Sequence, residues 1–242
     1  MRMSKVEAAA STLRSELGFQ GGAVNEKELR KVLERKGYFL FYYPFGNDLF
    51  SGAALQDHNV KVIVINSSHT LGRQNFTLCH ELAHFHLHNI KNHIDGITPI
   101  NKEKEKEADY FASCFLMPHD EVIKFVEDNN SKKLDLITAM KVSAFFRVSF
   151  QAAVIRLAQI LHIKKIPEDL LNASPVKAAR LLDLSPELYE SNNEIYWSST
   201  SYILLAYEAL QKGKISTGKF LKMMEKIGHD GYEVLDNLKG RD

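Results

Sequence analysis

Apolar positions recur at a helical period over residues 4–17 and again over 25–36, "NEKELRKVLERK", where Asn25 stands as an N-cap with a carboxylate in the turn behind it. Gly21 and Gly22 separate the two helices. The period then shortens. "YFLFYYPF" (38–45), "SGAALQ" (51–56) and "VKVIVIN" (60–66) are rich in aromatic or β-branched residues and are broken by Gly46-Asn47-Asp48 and Asp57-His58-Asn59, which predicts an antiparallel three-stranded meander. In the last run Val60, Val62, Val64 and Asn66 share one face and Lys61, Ile63 and Ile65 the other, apolar enough for a central strand. Helical spacing resumes from about Leu71 to His88. After a polar loop with Gly96 and Pro99 it returns in "NKEKEKEADYFASCFLMP" and stops at Pro118.

Everything later reads as helical. Within residues 119–163 two amphipathic segments are joined near Arg147-Val148-Ser149, with Ser149 placed to cap the second, a helix-turn-helix outline. Two packed helices completing the core of the first domain account for it better than a DNA reader, which would want more base-reaching side chains than Gln151 and Arg156. Beyond Pro167 the helical pattern breaks near Pro175, Pro186 and Gly213. The expected fold is α+β: mostly helical, with a small three-stranded antiparallel sheet beside the helix of 71–88. A first domain spans 1–165, with the helix-turn-helix outline at about 119–163, and a helical C-terminal region spans 166–242, without internal repeats.

Composition narrows the function classes. With 45% hydrophobic residues among 242, the chain can close a core. Its 31 basic and 30 acidic residues leave a formal charge of +1, so no overall field favours nucleic acid or membrane as the main partner. Cys79 and Cys114, the only cysteines, form no CxxC pair and suit a reducing compartment as packed thiols. The charged, amphipathic N-terminus lacks a signal-peptide core and no later run is long enough to span a bilayer, so a cytoplasmic location is expected.

The chemistry lies in "FTLCHELAHFHLH", residues 76–88. His80-Glu81-Leu82-Ala83-His84 matches HExxH, in which two histidines four apart on one helical face reach a single Zn2+ while the glutamate flanks the bound water. The surrounding apolar residues predict a buried helix, where two histidines and a glutamate without a metal would be costly. A catalytic zinc wants a third protein ligand, and the extended motif would need histidine where Ile90 stands. The next helix supplies one: rotating about 100° per residue from the stripe Ala108, Phe111, Ala112, Phe115 and Leu116 puts Glu105 at its edge and turns Glu103 and Glu107 away. Asp109, one turn beyond Glu105, is placed to accept the free ring N–H of a ligating histidine. Cys79 points about 100° away from His80. His86, His88 and His93 read as a polar helix end or loop, since a fourth histidine ligand at His88 would close the site and leave Glu81 without a purpose. Glu81 is the expected general base. Tyr110, His119 and His93 are candidates for the oxyanion donor.

"SGAALQ", "VIVINSS", "RQNFTLCHELAHFHLH", "EKEADYFASCFLMP" and "FFRVSFQAAVIRL" resemble, in that order and spacing, the ImmA/IrrE family of zinc metallopeptidases over about residues 25–160. The resemblance implies a gluzincin-type domain with His80, His84 and Glu105 on zinc and Glu81 as general acid/base. Glu107 is the competing third ligand, because the block's two glutamates lie two residues apart. Family members often carry Asn where this chain has Asp109, and either side chain can orient a histidine. The resemblance also implies a role in transcription regulation: cleavage of a helix-turn-helix repressor of a mobile element or of stress genes. The rival expectation is a metal-dependent regulatory or binding module, acting on DNA through residues 133–161, without proteolysis. An extended substrate would pair with the edge of the sheet.

Overall fold

The computed structural model describes residues 2–46, 49–88, 92–94, 102–131, 133–191 and 196–240, with Arg2 and 92–94 as backbone only. The loop with Gly96 and Pro99 and the side chain of His93 lie outside the described residues. Helices α1 (Arg2–Glu16) and α2 (Glu26–Arg35) come first. The side chain of Asn25 caps α2 by accepting from the backbone N–H of Lys27 and Glu28. Strands β1 (Tyr38–Tyr43), β2 (Gly52–Asp57) and β3 (Val60–Asn66) lead into α3 (Leu71–Leu87), and β4 (Asn92–Ile94) precedes α4 (Lys102–Leu116).

The sheet is mixed, in the order β4-β2-β3-β1-β5, where β5 is the two-residue segment Trp197–Ser198. This corrects the expected three-stranded antiparallel meander. β2 and β3 form the antiparallel hairpin, but β1 runs parallel to β3, Tyr38 opposite Lys61 through Tyr43 opposite Asn66. The reason is β3 itself. Its core face, Ile63 and Ile65, is fully buried while Val62 and Val64 are half-covered, so it gains most as the middle strand with a long partner on each side. The β2 hairpin arm is the connection that carries the chain from β1 to its parallel neighbour. Both additional strands are short: β4 covers the free edge of β2, and β5 pairs with β1 across Phe41–Tyr42.

α3 lies between the sheet and α4. Its Leu78, Cys79, Leu82 and Ala83 are fully buried, as are Ala108, Phe111, Ala112 and Phe115 of α4. Asn66 organises the entry to α3. Its carboxamide accepts from the backbone of Phe45 and Ser68 and donates to the carbonyl of Phe50, tying together the ends of three strands. Gln74, one turn into α3, donates to the carbonyls of Ser67 and His69 and holds the same loop from the other side.

α5 (His119–Asp128), α6 (Leu136–Phe146) and α7 (Phe150–Ile160) close the core below α3. The α6–α7 turn has the expected form, with Arg147 left-handed at φ 55° and Ser149 Oγ accepting from the Ala152 N–H. It is not a free surface. Asn75 of α3 donates to the Arg147 carbonyl, the Arg147 guanidinium pairs twice with Glu26, and Arg156 is buried with its Nε–H donating to the Met117 carbonyl. α8 (Glu168–Leu171), α9 (Pro175–Leu181) and a 3-10 turn (Pro186–Leu188) pack into this same core through Leu170, Ala178, Ala179 and Leu188. α10 (Thr200–Gln211), α11 (Thr217–Lys226) and α12 (Gly231–Lys239) build a separate small cluster around Phe220, Met224 and Leu235.

Gly72 sets how close the α6–α7 turn approaches α3. A Cβ there would lie 2.5 Å from Ser149 N and 2.6 Å from the Val148 carbonyl carbon, both backbone atoms that cannot swing aside. Alanine is favoured over glycine in a helix by about 1 kcal/mol, but overpacking costs about 1–3 kcal/mol, so strain wins. Gly72→Ala is therefore expected to lower stability in denaturant unfolding; an unchanged or raised midpoint would show that the turn yields.

Candidate metal centre

The one-turn separation of His80 and His84 on α3 brings their Nε2 atoms to 3.1 Å. Glu105, in the first turn of α4, reaches across: Oε2 is 3.2 Å from His80 Nε2 and Oε1 is 3.8 Å from His84 Nε2. These three residues are the described group of His, Cys, Asp or Glu side chains whose ligand atoms lie within 4.8 Å of one another. A tetrahedral zinc with bonds of about 2.0–2.1 Å holds neighbouring ligand atoms about 3.3 Å apart, so the spacings suit a small tetrahedral cation. Two imidazoles and one carboxylate are also the donor set of a hydrolytic centre that keeps a coordination position open.

The second nitrogens are engaged as well. His80 Nδ1–H donates to Asp109 Oδ1 at 2.9 Å. His84 Nδ1 lies 3.1 Å from His88 Nδ1, and His88 Nε2 lies 3.3 Å from Glu107 Oε2. Proton bookkeeping gives this second chain one direction. With His84 Nε2 kept as the ligand atom, its Nδ1 carries the proton and donates to His88 Nδ1; the His88 proton then sits on Nε2 and goes to Glu107. A neutral His88 is required, and burial lowers its pKa ahead of the opposing pull of Glu107.

Glu107 is thus drawn to His88 and away from the trio. Glu103 is exposed. His86 faces the Tyr38 hydroxyl at 3.2 Å, on another side of α3. Tyr110 donates to Glu7 at 3.4 Å, and His119 is exposed at the start of α5. Cys79 and Cys114 are buried free thiols with pKa values pushed up by burial. The pairing of His88 with Glu107 escaped the sequence reading, although its signal was there: a histidine four residues past His84 is its neighbour on the helix whether or not it binds metal.

Glu81 is fully buried against β2. Gly52 makes room for it, since a Cβ there would meet Thr77 Cγ2 at 2.6 Å and Glu81 Oε1 at 3.1 Å. Burial pulls the pKa of His80 down, but hydrogen bonds to Asp109 and Glu105 and the charge of Glu81 outweigh it and raise the value to about 10. Without metal, a proton is held among these carboxylates.

Residues 33–158, just over half of the chain, match the family model described as the IrrE N-terminal-like domain. The chain belongs to the ImmA/IrrE family. No curated protein matches it. The ImmA/IrrE family is one of metal-dependent peptidases, and the match runs from the end of α2 into α7, including every residue of the trio. None of the described helices is long and apolar enough to cross a membrane.

Two outcomes follow from this geometry. Glu105→Ala is expected to weaken zinc binding far more than Glu107→Ala, and His88→Phe to weaken it by about 10–100-fold. His88→Asn, which keeps an acceptor near the Nδ1 position, should restore most of that loss; chelator competition measures all four, and equal losses for Glu105→Ala and Glu107→Ala would contradict the arrangement. Because the folded pKa of His80 lies above its ordinary 6.5, its proton stabilises the metal-free fold fully below pH 6.5, and that contribution fades as pH rises towards about 10. Urea unfolding in chelator at several pH values should show this decline, and His80→Gln should remove it.

Proposed function

We propose that this chain is a zinc-dependent endopeptidase that cleaves a helix-turn-helix transcriptional repressor and so relieves repression of a mobile element or a stress response. The observation that carries the hydrolytic part is the His80, His84 and Glu105 trio, with the buried carboxylate of Glu81 on the same helix. Membership of a peptidase family supports it independently. The repressor as substrate rests on the family's known habit alone.

A zinc ion held by His80, His84 and Glu105 would lower the pKa of a water molecule and polarise the substrate carbonyl. Glu81 accepts the proton of that attacking water and later delivers it to the leaving amine. Asp109 fixes His80 in the tautomer that leaves Nε2 free for the ion, and His88 with Glu107 does the same for His84. The sheet edge beside α3 offers an extended substrate main-chain pairing, on the β4 side rather than along a bare β2. For the rival DNA-binding module the supporting side chains are fewer than the sequence suggested, since Arg156 is buried and bonded to Met117.

The test uses zinc-loaded protein and a purified helix-turn-helix regulator encoded beside its gene. Glu81→Gln should retain stoichiometric zinc and lose about 10²–10⁴-fold in cleavage rate, read on denaturing gels. Wild-type cleavage by that variant would reject the general-base role, and zinc binding without cleavage of any neighbouring regulator would favour a non-proteolytic module.

A further inference from the structure

Beside the centre lies a cavity of about 1000 Å³ that the chemistry described so far does not use. One wall is α3 and α4: Phe76 stands one turn before His80, and Asp109 is the residue whose carboxylate holds the His80 ring. The floor is the outward stripe of α7, Gln151, Ile155 and Gln159, spaced four residues apart. The far wall is Ile166, Leu170 and Leu171 with Pro175 and Tyr189. That wall begins eight residues after the family match ends at 158. The cavity is therefore built jointly by residues inside the family match and by a segment beyond it.

Its surface is mainly apolar, and large side chains are left open to solvent there: Leu171 is 60% and Ile155 41% exposed. Among the apolar groups stand hydroxyls and carboxamides, including Ser113 and Gln151, suited to main-chain amides. A mainly apolar cleft that also carries hydroxyls, carboxamides and the charged side chains of Arg73, Lys106 and Asp109, and that borders the candidate metal centre at Asp109 and Phe76, has the chemistry of a polypeptide-binding groove. We propose that this cleft docks an apolar segment of the polypeptide substrate next to the bond to be cut, and that residues 166–189 set the preference for its side chains. The proposal rests on the peptidase reading and adds to it the substrate class and the part of the chain that selects it.

The experiment separates the two. Zinc-loaded full-length protein is titrated with acetohydroxamate, which needs only the metal, and with tri-leucine peptides bearing a hydroxamate at either end. In one polarity tri-leucine should bind at least about tenfold more tightly than acetohydroxamate, the gain expected from burying one or two apolar side chains. Leu171→Asp and Ile155→Asp, both at exposed positions away from the ligands, should remove that gain and leave acetohydroxamate binding unchanged. A tri-leucine advantage that survives both variants, or no advantage in either polarity, overturns the proposal. Failure of acetohydroxamate to bind wild type counts against the metal-centre reading instead. A photo-leucine tripeptide without hydroxamate then tests the cleft alone: crosslinks on α7 and α8 support it, and crosslinks elsewhere or none overturn it.

Discussion

The structure is organised around a conflict on α3: His80, Glu81 and His84 are buried, yet burying charge in a core is costly unless it is compensated. The compensation arrives from α4. Glu105 faces both imidazoles, Asp109 takes the outer nitrogen of His80, and Glu107 takes that of His88 behind His84. Three carboxylates at positions 105, 107 and 109 of one helix can do this because α4 packs against α3. The two helices therefore depend on each other. α3 without α4 would leave histidines unoriented, and α4 without α3 would hold three like charges in two turns.

How far the sequence discloses this depends on whether an interaction is local. Helical rotation from the apolar stripe of α4, written in Ala108, Phe111 and Phe115, sets Glu105 apart from Glu107, but it turns Glu107 away from the buried face, whereas the Glu107 side chain is 17% exposed against 30% for Glu105 and lies against His88. The caps at Asn25 and Ser149 were legible because each is local. Strand order was not. A parallel β1–β3 pair involves residues 23 positions apart, and short loops of turn-forming residues suggest a meander unless the demand of β3 for two long neighbours is weighed. Position 88 was misread differently: attention to coordination left no place for a histidine whose use is to orient another histidine.

Burial also bears on the helix-turn-helix outline. Its turn is geometrically regular, but the backbone that a nucleic acid would meet is spent on the fold. Asn75 bonds the Arg147 carbonyl, Gly72 admits Val148 and Ser149 to van der Waals distance, and Arg156 points inward. Of the two side chains the sequence offered as readers, Gln151 alone remains exposed, and it lines the cavity beside the centre. A motif defined by helix length and turn type is thus put to structural use here, holding α3 at its N-terminal end.

Residues 166–189 extend that logic. They lie beyond the family match, yet Leu170, Ala178, Ala179 and Leu188 enter the main core, whereas α10 to α12 keep a core of their own. A segment anchored by buried residues can present neighbouring exposed ones in fixed positions: Leu170 is 3% exposed and Leu171 60%. Side chains that face the cleft from such an anchored segment can change without disturbing the trio on α3 and α4, whose members draw their support from each other. On the proposed reading, chemistry and selection then sit on separate elements, so a preference for substrate could drift while the centre stays as it is.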